Sequence, residues 1–108
     1  MVQQITAREL AITLENGQKV RLLDVRQPWE NQLAKLPASI HIPLNDLPTR
    51  AREIKRVPDE TIVVYCHHGI RSLSAASYLE KLGYDNVKSL SGGIDAWSCE
   101  VDPAVPRY

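Results

Sequence analysis

The sequence predicts an α/β domain: a central parallel sheet of about five strands with helices on both faces. Three observations carry that expectation. Short β-branched or apolar runs near 2–5, 20–25, 39–42, 61–65 and 87–90 alternate with helical stretches, the pattern of βα units that lay strands side by side in one direction. Two of these runs, 20–25 and 62–66, are nearly continuous in apolar character apart from Arg21 and Asp24, as strands covered on both faces are. The chain has 108 residues, 44% of them apolar, which suffices for one core and leaves no room for a second domain.

Val2 to Ile5 reads as a short strand, and Thr6-Ala7-Arg8-Glu9 as a capping box, Thr6 bonding forward and Glu9 back. The helix it opens is expected to run to about Glu15 and stop before Gly17, with Leu10 and Leu14, four apart, facing the core. Val20 to Val25 is a central strand that brings Asp24 to its carboxyl end. Pro28 and Pro37 break the next stretch and leave one helical turn around Trp29 to Leu33. Ser39 to Ile42 forms a short strand closed by Pro43. Leu44, Leu47, Ala51 and Ile54 then make a helical stripe in which Pro48 fits only near the first turn.

Thr61 to Tyr65 is the strand that leads into Cys66-His67-His68-Gly69-Ile70-Arg71-Ser72. Ser72 is expected to cap a helix whose Ala75, Leu79 and Leu82 lie at i, i+4 and i+7, with Gly83 ending it. Val87 to Leu90 is the last strand. Ser91-Gly92-Gly93 turns into a short helix around Ile94 to Trp97, and the tail with Pro103 and Pro106 is irregular.

Charge and cysteine content exclude several classes. Thirteen basic residues balance thirteen acidic ones, so no net field draws a polyanion, and neither a nucleic acid nor a membrane is an expected partner. The longest apolar run, Ile62 to Cys66, is far short of the ~20 residues that span a bilayer. Two cysteines, Cys66 and Cys99, are too few for a disulfide framework, and the amino-terminal residues lack the basic and apolar regions of a signal peptide. A cytoplasmic, reducing location is expected.

Chemistry concentrates after the strand at 61–65. A thiol where a strand ends and a helix begins meets unpaired backbone N–H groups and the positive end of the helix dipole. In such surroundings a thiol pKa of about 8.5 can fall to roughly 3.5–7.5. If the loop folds back, its N–H groups form a nest for an anion held on or attacking the Cys66 sulfur, with Gly69 supplying a backbone angle that a side chain resists. A lone cysteine at a strand end is more often a small core residue. The company of Gly69, Arg71 and a helix start favours the nucleophile.

The residues around this loop resemble a known family. Leu22-Leu23-Asp24-Val25-Arg26, the segment Leu36 to Pro43, the loop Cys66 to Ser72 and the segment Leu90 to Trp97 are similar to four successive signatures of single-domain rhodaneses, sulfurtransferases that carry sulfur as a cysteine persulfide. The resemblance covers nearly the whole chain, so residues 1–108 are expected to form one rhodanese-like domain. The second signature departs from the family pattern: Ala38 stands where the family has glycine, and Ala34-Lys35 where it often has Gly-His. That segment rims the site in the family.

The resemblance implies Cys66 as nucleophile and His67, His68, Gly69, Ile70, Arg71 and Ser72 as the active-site and substrate-binding loop. Asp24, Arg26 and Trp29 are a supporting rim, although an internal ion pair fits Asp24 and Arg26 equally well and core cover fits Trp29. One of His67 and His68 would face the donor and the other solvent, and neither is needed as a base once Cys66 is ionised. Arg71 would contact an anionic donor, the alternative being a pair with a surface carboxylate. Trp97 reads as core, and Cys99 beside Glu100 as an ordinary cysteine.

The implied reaction moves a sulfane sulfur from thiosulfate or a persulfide donor to cyanide or a protein or small-molecule thiol through a Cys66 persulfide. It requires no metal or organic cofactor, and Cys66, His67, His68 and Cys99 are poorly spaced for zinc. Two other functions stay open. Relatives that act as phosphatases or arsenate reductases place five residues between cysteine and arginine, whereas four separate Cys66 from Arg71. A non-catalytic interaction domain commonly loses the cysteine that this chain retains.

Overall fold

The computed structural model describes residues 2–108. Five strands, β1 (Gln3–Ile5), β2 (Val20–Asp24), β3 (Ile40–His41), β4 (Thr61–Tyr65) and β5 (Val87–Leu90), form one sheet in the order β1-β5-β4-β2-β3. Every pairing is parallel. The helices α1 (Ala7–Glu15), α2 (Pro28–Leu33), α3 (Leu47–Arg50) and α4 (Ile70–Lys81) lie between successive strands, and α5 (Gly93–Glu100) follows β5. No described helix is long and apolar enough to cross a membrane.

Strand β4 is the middle of the sheet, and its alternation builds two cores. Ile62, Val64 and Cys66 pack with Ala51, Ile54, Ala75, Ala76 and Leu79 from α4 and the segment around α3. Val63 and Tyr65 face the other way, toward Ala7, Leu10, Ile94 and Trp97 of α1 and α5. Both faces of the strand are therefore dry, which is why it reads as an apolar run without alternation. Trp97 is core, as expected.

Three expectations need correction. The Thr6–Glu9 capping box forms in both directions, but only Ala7 and Leu10 of α1 are buried; Leu14 is exposed because the packed face of this helix is narrower than its apolar stripe. The stripe Leu44-Leu47-Ala51-Ile54 lies on a segment in which α3 is flanked by 3₁₀ turns at 44–46 and 51–53, since Pro48 confines regular helix to its own first turn. Ser72 does not cap α4. Gly69, at φ 104°, is the N-cap, and Ser72 lies inside the first turn with its side chain fully buried.

Candidate active site

The carboxyl ends of β2, β4 and β5 meet at one edge of the sheet, where a parallel α/β sheet presents its ligands. Cys66 follows β4 directly and is 1% exposed. Its Sγ accepts the Gly69 N–H at 3.1 Å and the Ser72 N–H at 3.4 Å. Both donors come from the turn into α4, whose first-turn amides lack partners inside the helix. A negative sulfur here has hydrogen-bond donors and the helix dipole already aimed at it.

The peptide carbonyls are held away from the sulfur by the next βα turn. Ile94 donates its N–H to the Cys66 carbonyl at 2.9 Å, and Asp95 to the His67 carbonyl at 3.2 Å. So close an approach requires Gly93: a Cβ there would lie 2.4 Å from each of those two oxygens, and its φ is +62°. The Gly92-Gly93 pair that opens α5 is thus a contact surface for the cysteine loop. The amino end of α5 uses its own free amides to fix that loop.

Behind the sulfur stand two buried hydroxyls. Ser72 Oγ lies 3.6 Å from Sγ, donates to the Gly69 carbonyl at 3.1 Å, and is 2.7 Å from Ser89 Oγ of β5. Ser89 is 0% exposed.

Arg71, expected to contact an anionic donor, is bound to a carboxylate of the protein itself. Its two Nη atoms donate to the two oxygens of Glu30 at 2.6 and 2.9 Å. Glu30 also accepts the Tyr108 hydroxyl at 2.7 Å and the Gln27 N–H at 3.0 Å. Burial alone would push the Glu30 carboxyl up, but Arg71, Tyr108 and the Gln27 amide outweigh it and hold the pKa down to about 2. The Arg71 guanidinium is held above its ordinary value chiefly by the same pair.

Asp24 and Arg26 do not form a rim. Both are fully buried, joined by Nε to Oδ1 at 2.9 Å and Nη2 to Oδ2 at 2.8 Å. Arg26 donates further to the carbonyls of Ala34 and Glu30 and to the Tyr108 hydroxyl, while Asp24 accepts from Asn31 and from the Arg26 backbone N–H two residues on. A buried charge pair endures only when its remaining donors and acceptors are filled, and this one ties β2, α2 and the tail together beneath the site. The internal ion pair is the reading that holds.

The histidines separate as expected in exposure, though not in what they touch. His68 is exposed, with Nδ1 3.9 Å from Asp95 Oδ2. His67 is stacked between the His68 ring and the Tyr108 ring, each with centroids 3.9 Å apart. Burial, followed by the His68 charge, lowers the His67 pKa. Trp29 is 60% exposed and meets edge-on, at 5.9 Å, the Tyr108 ring that stacks on His67. Cys99 is exposed and free.

Three contributors escaped the sequence reading: Glu30, Tyr108 and Ser89. Glu30 stands beside Trp29 in a stretch read only as a helical turn, and Tyr108 in a tail read as irregular. The sole signal for Ser89 was a hydroxyl residue within an apolar strand.

A strand-end cysteine whose sulfur accepts helix-start amides at the carboxyl edge of a parallel sheet defines a class, α/β domains with a cysteine loop arranged to receive negative charge. The family follows from comparison: the rhodanese-like domain model matches residues 6–100, and the chain belongs to the rhodanese-like domain family. A sulfurtransferase of Allochromatium vinosum is 37% identical over 98 residues, covering 91% of this chain and 90% of that protein. A crystal structure of a rhodanese-related protein from Thermoplasma volcanium has a TM-score of 0.83 at 32% identity, covering 98% of this chain and 99% of that one. The probable adenylyltransferase/sulfurtransferase MoeZ of Mycobacterium tuberculosis is 35% identical over 96% of this chain, which spans 26% of that longer protein. Sulfur transfer is the general chemistry that the family and these relatives support.

Proposed function

We propose that the chain moves a sulfane sulfur from thiosulfate or a persulfide donor to a thiophilic acceptor, cyanide or a thiol, through a persulfide on Cys66. The observation that carries this reading is the pair of amides, Gly69 and Ser72, on the Cys66 sulfur. They stabilise an anion on that atom without a metal or a base, as preorganised donors do wherever charge collects.

The Cys66 thiolate attacks the outer sulfur of thiosulfate. A sulfur–sulfur bond forms to Cys66, the sulfur–sulfur bond of thiosulfate breaks, and sulfite leaves with the electron pair. The acceptor then attacks the terminal sulfur, and its departure as thiocyanate or as a new persulfide returns the bonding pair to Cys66 as thiolate. Charge is conserved at both steps, and the cycle is covalent in two stages. We place it in a reducing, cytoplasmic setting, where a thiolate survives between turnovers.

Mass spectrometry of the intact protein after incubation with thiosulfate is the test. Cys66 should gain one sulfur that cyanide removes, and Cys66→Ser should gain none. An unmodified Cys66 with both thiosulfate and persulfide donors would refute the proposal, as would hydrolysis of aryl phosphates faster than consumption of thiosulfate.

A further inference from the structure

We infer that Ser89 is a positioning residue for the Cys66 anion, acting through Ser72. Among the described residues the fully buried Ser89 hydroxyl is hydrogen-bonded to one side chain, Ser72 Oγ at 2.7 Å, and not to the sulfur. The direction of that bond follows from counting protons. The Gly69 carbonyl can only accept, and while Cys66 is a thiol the single hydroxyl proton of Ser72 has that carbonyl as its acceptor at 3.1 Å, whereas Ser89 has Ser72 Oγ alone to donate to among the described residues. The proton in the 2.7 Å contact therefore belongs to Ser89, and Ser89 donates to Ser72.

This arrangement has a consequence for the sulfur. Ser72 Oγ lies 3.6 Å from Sγ. In the thiol state the S–H points at the Ser72 oxygen. When Cys66 is an anion that donor is gone, and the Ser72 proton can rotate from the Gly69 carbonyl to the sulfur. The buried Ser72 oxygen still accepts from Ser89 throughout, so ionisation leaves it satisfied. Without Ser89 the oxygen is satisfied only by the S–H itself, which favours the protonated, unreactive cysteine. The strand hydroxyl thus holds the rotor for either state of the sulfur.

The inference rests on Cys66 being the reactive anion, and alkylation reads that property without any sulfur donor. In a Cys99→Ser background, the second-order rate of Cys66 alkylation by iodoacetamide at neutral pH should fall about three- to tenfold in Ser89→Ala, the worth of one ordinary hydrogen bond. Ser89→Thr should restore it to within about twofold. In Ser72→Ala, adding Ser89→Ala should change nothing further, because the path through Ser72 is already cut. If Ser89→Ala does not unfold cooperatively, the shape-matched pair Ser89→Thr and Ser89→Val repeats the comparison, the threonine variant alkylating faster. Wild-type rates in Ser89→Ala, equal rates in the threonine and valine variants, or effects of Ser72→Ala and Ser89→Ala that multiply independently would overturn the inference. Loss of alkylation in Ser89→Ala alongside failure of Cys66 to take up sulfur would overturn the sulfur-transfer reading and leave this one standing.

Discussion

The Ile94 amide donates to the Cys66 carbonyl at 2.9 Å, so the helix that follows β5 grips the loop that follows β4. Gly93 makes the grip close, and Gly93→Ala is the direct way to loosen it. The added methyl would sit 2.4 Å from the Cys66 and His67 oxygens at a φ of +62°. The left-handed angle alone costs about 1–2 kcal/mol for a residue with a side chain, and the overlap with rigid backbone adds to it. A fall in thermal midpoint is expected, together with a loss of Cys66 alkylation of at least about tenfold. An alkylation rate equal to wild type would show that α5 does not hold the loop.

Glu30 should leave its mark on acid stability. Its carboxyl is at about 2 in the folded chain against an ordinary 4.5. The stabilisation is therefore complete above about pH 4.5 and is lost as pH falls toward 2. Glu30→Gln keeps the shape and removes the charge that pairs with Arg71. It should lower stability at neutral pH by on the order of 2 kcal/mol, and its urea midpoint should vary less than that of wild type between pH 4.5 and pH 2. Parallel profiles for the two proteins across that window would assign the acid sensitivity to another carboxylate.

Ala38 has a φ of 60°, the left-handed region that glycine enters most readily. The position is exposed, so a methyl group there contributes little packing, while its backbone sits where L residues rarely do. Ala38→Gly relieves that strain at the expense of a more flexible unfolded chain. A net gain of about 0.5–1 kcal/mol in chemical denaturation is expected, with alkylation of Cys66 unchanged. A destabilised glycine variant would mean that the methyl group makes contacts worth more than the strain.

The parts of this molecule legible in its sequence are those set by near neighbours. The Thr6–Glu9 box, the strand at 61–65 and the thiol at its end each depend on residues within a turn or a strand, and each lies where the sequence puts it. Asp24 was placed correctly at the end of β2, but its depth was not legible, because the groups that bury Arg26 and Asp24 arrive from Ala34, Asn31 and Tyr108. Glu30 meets Arg71 across 41 residues and Tyr108 across 78. The Ser72–Ser89 contact spans 17 and joins a helix to the next strand. No periodicity encodes such pairings; they exist only once the sheet order has set these elements side by side.

Tyr108 joins several of these long-range contacts, and two substitutions separate its roles. The hydroxyl accepts from Arg26 at 2.9 Å and donates to Glu30 at 2.7 Å, with the phenol pushed up to about 12, mainly by burial. Tyr108→Phe removes that bridge and leaves the ring on His67. It should cost about 1–2 kcal/mol, the price of an unfilled donor on a buried arginine, while the His67 imidazole still titrates below its ordinary value. Tyr108→Ala also uncovers His67, whose pKa is lowered first by burial, so its titration should move up toward 6.5. The stability arising from neutral, covered His67 is present above its ordinary pKa and lost as pH falls through it, so this variant should lose less on acidification through that range. Imidazole NMR titration of both variants makes the comparison. His67 titrating alike in Tyr108→Phe and Tyr108→Ala would show that the stacked ring does not set its protonation.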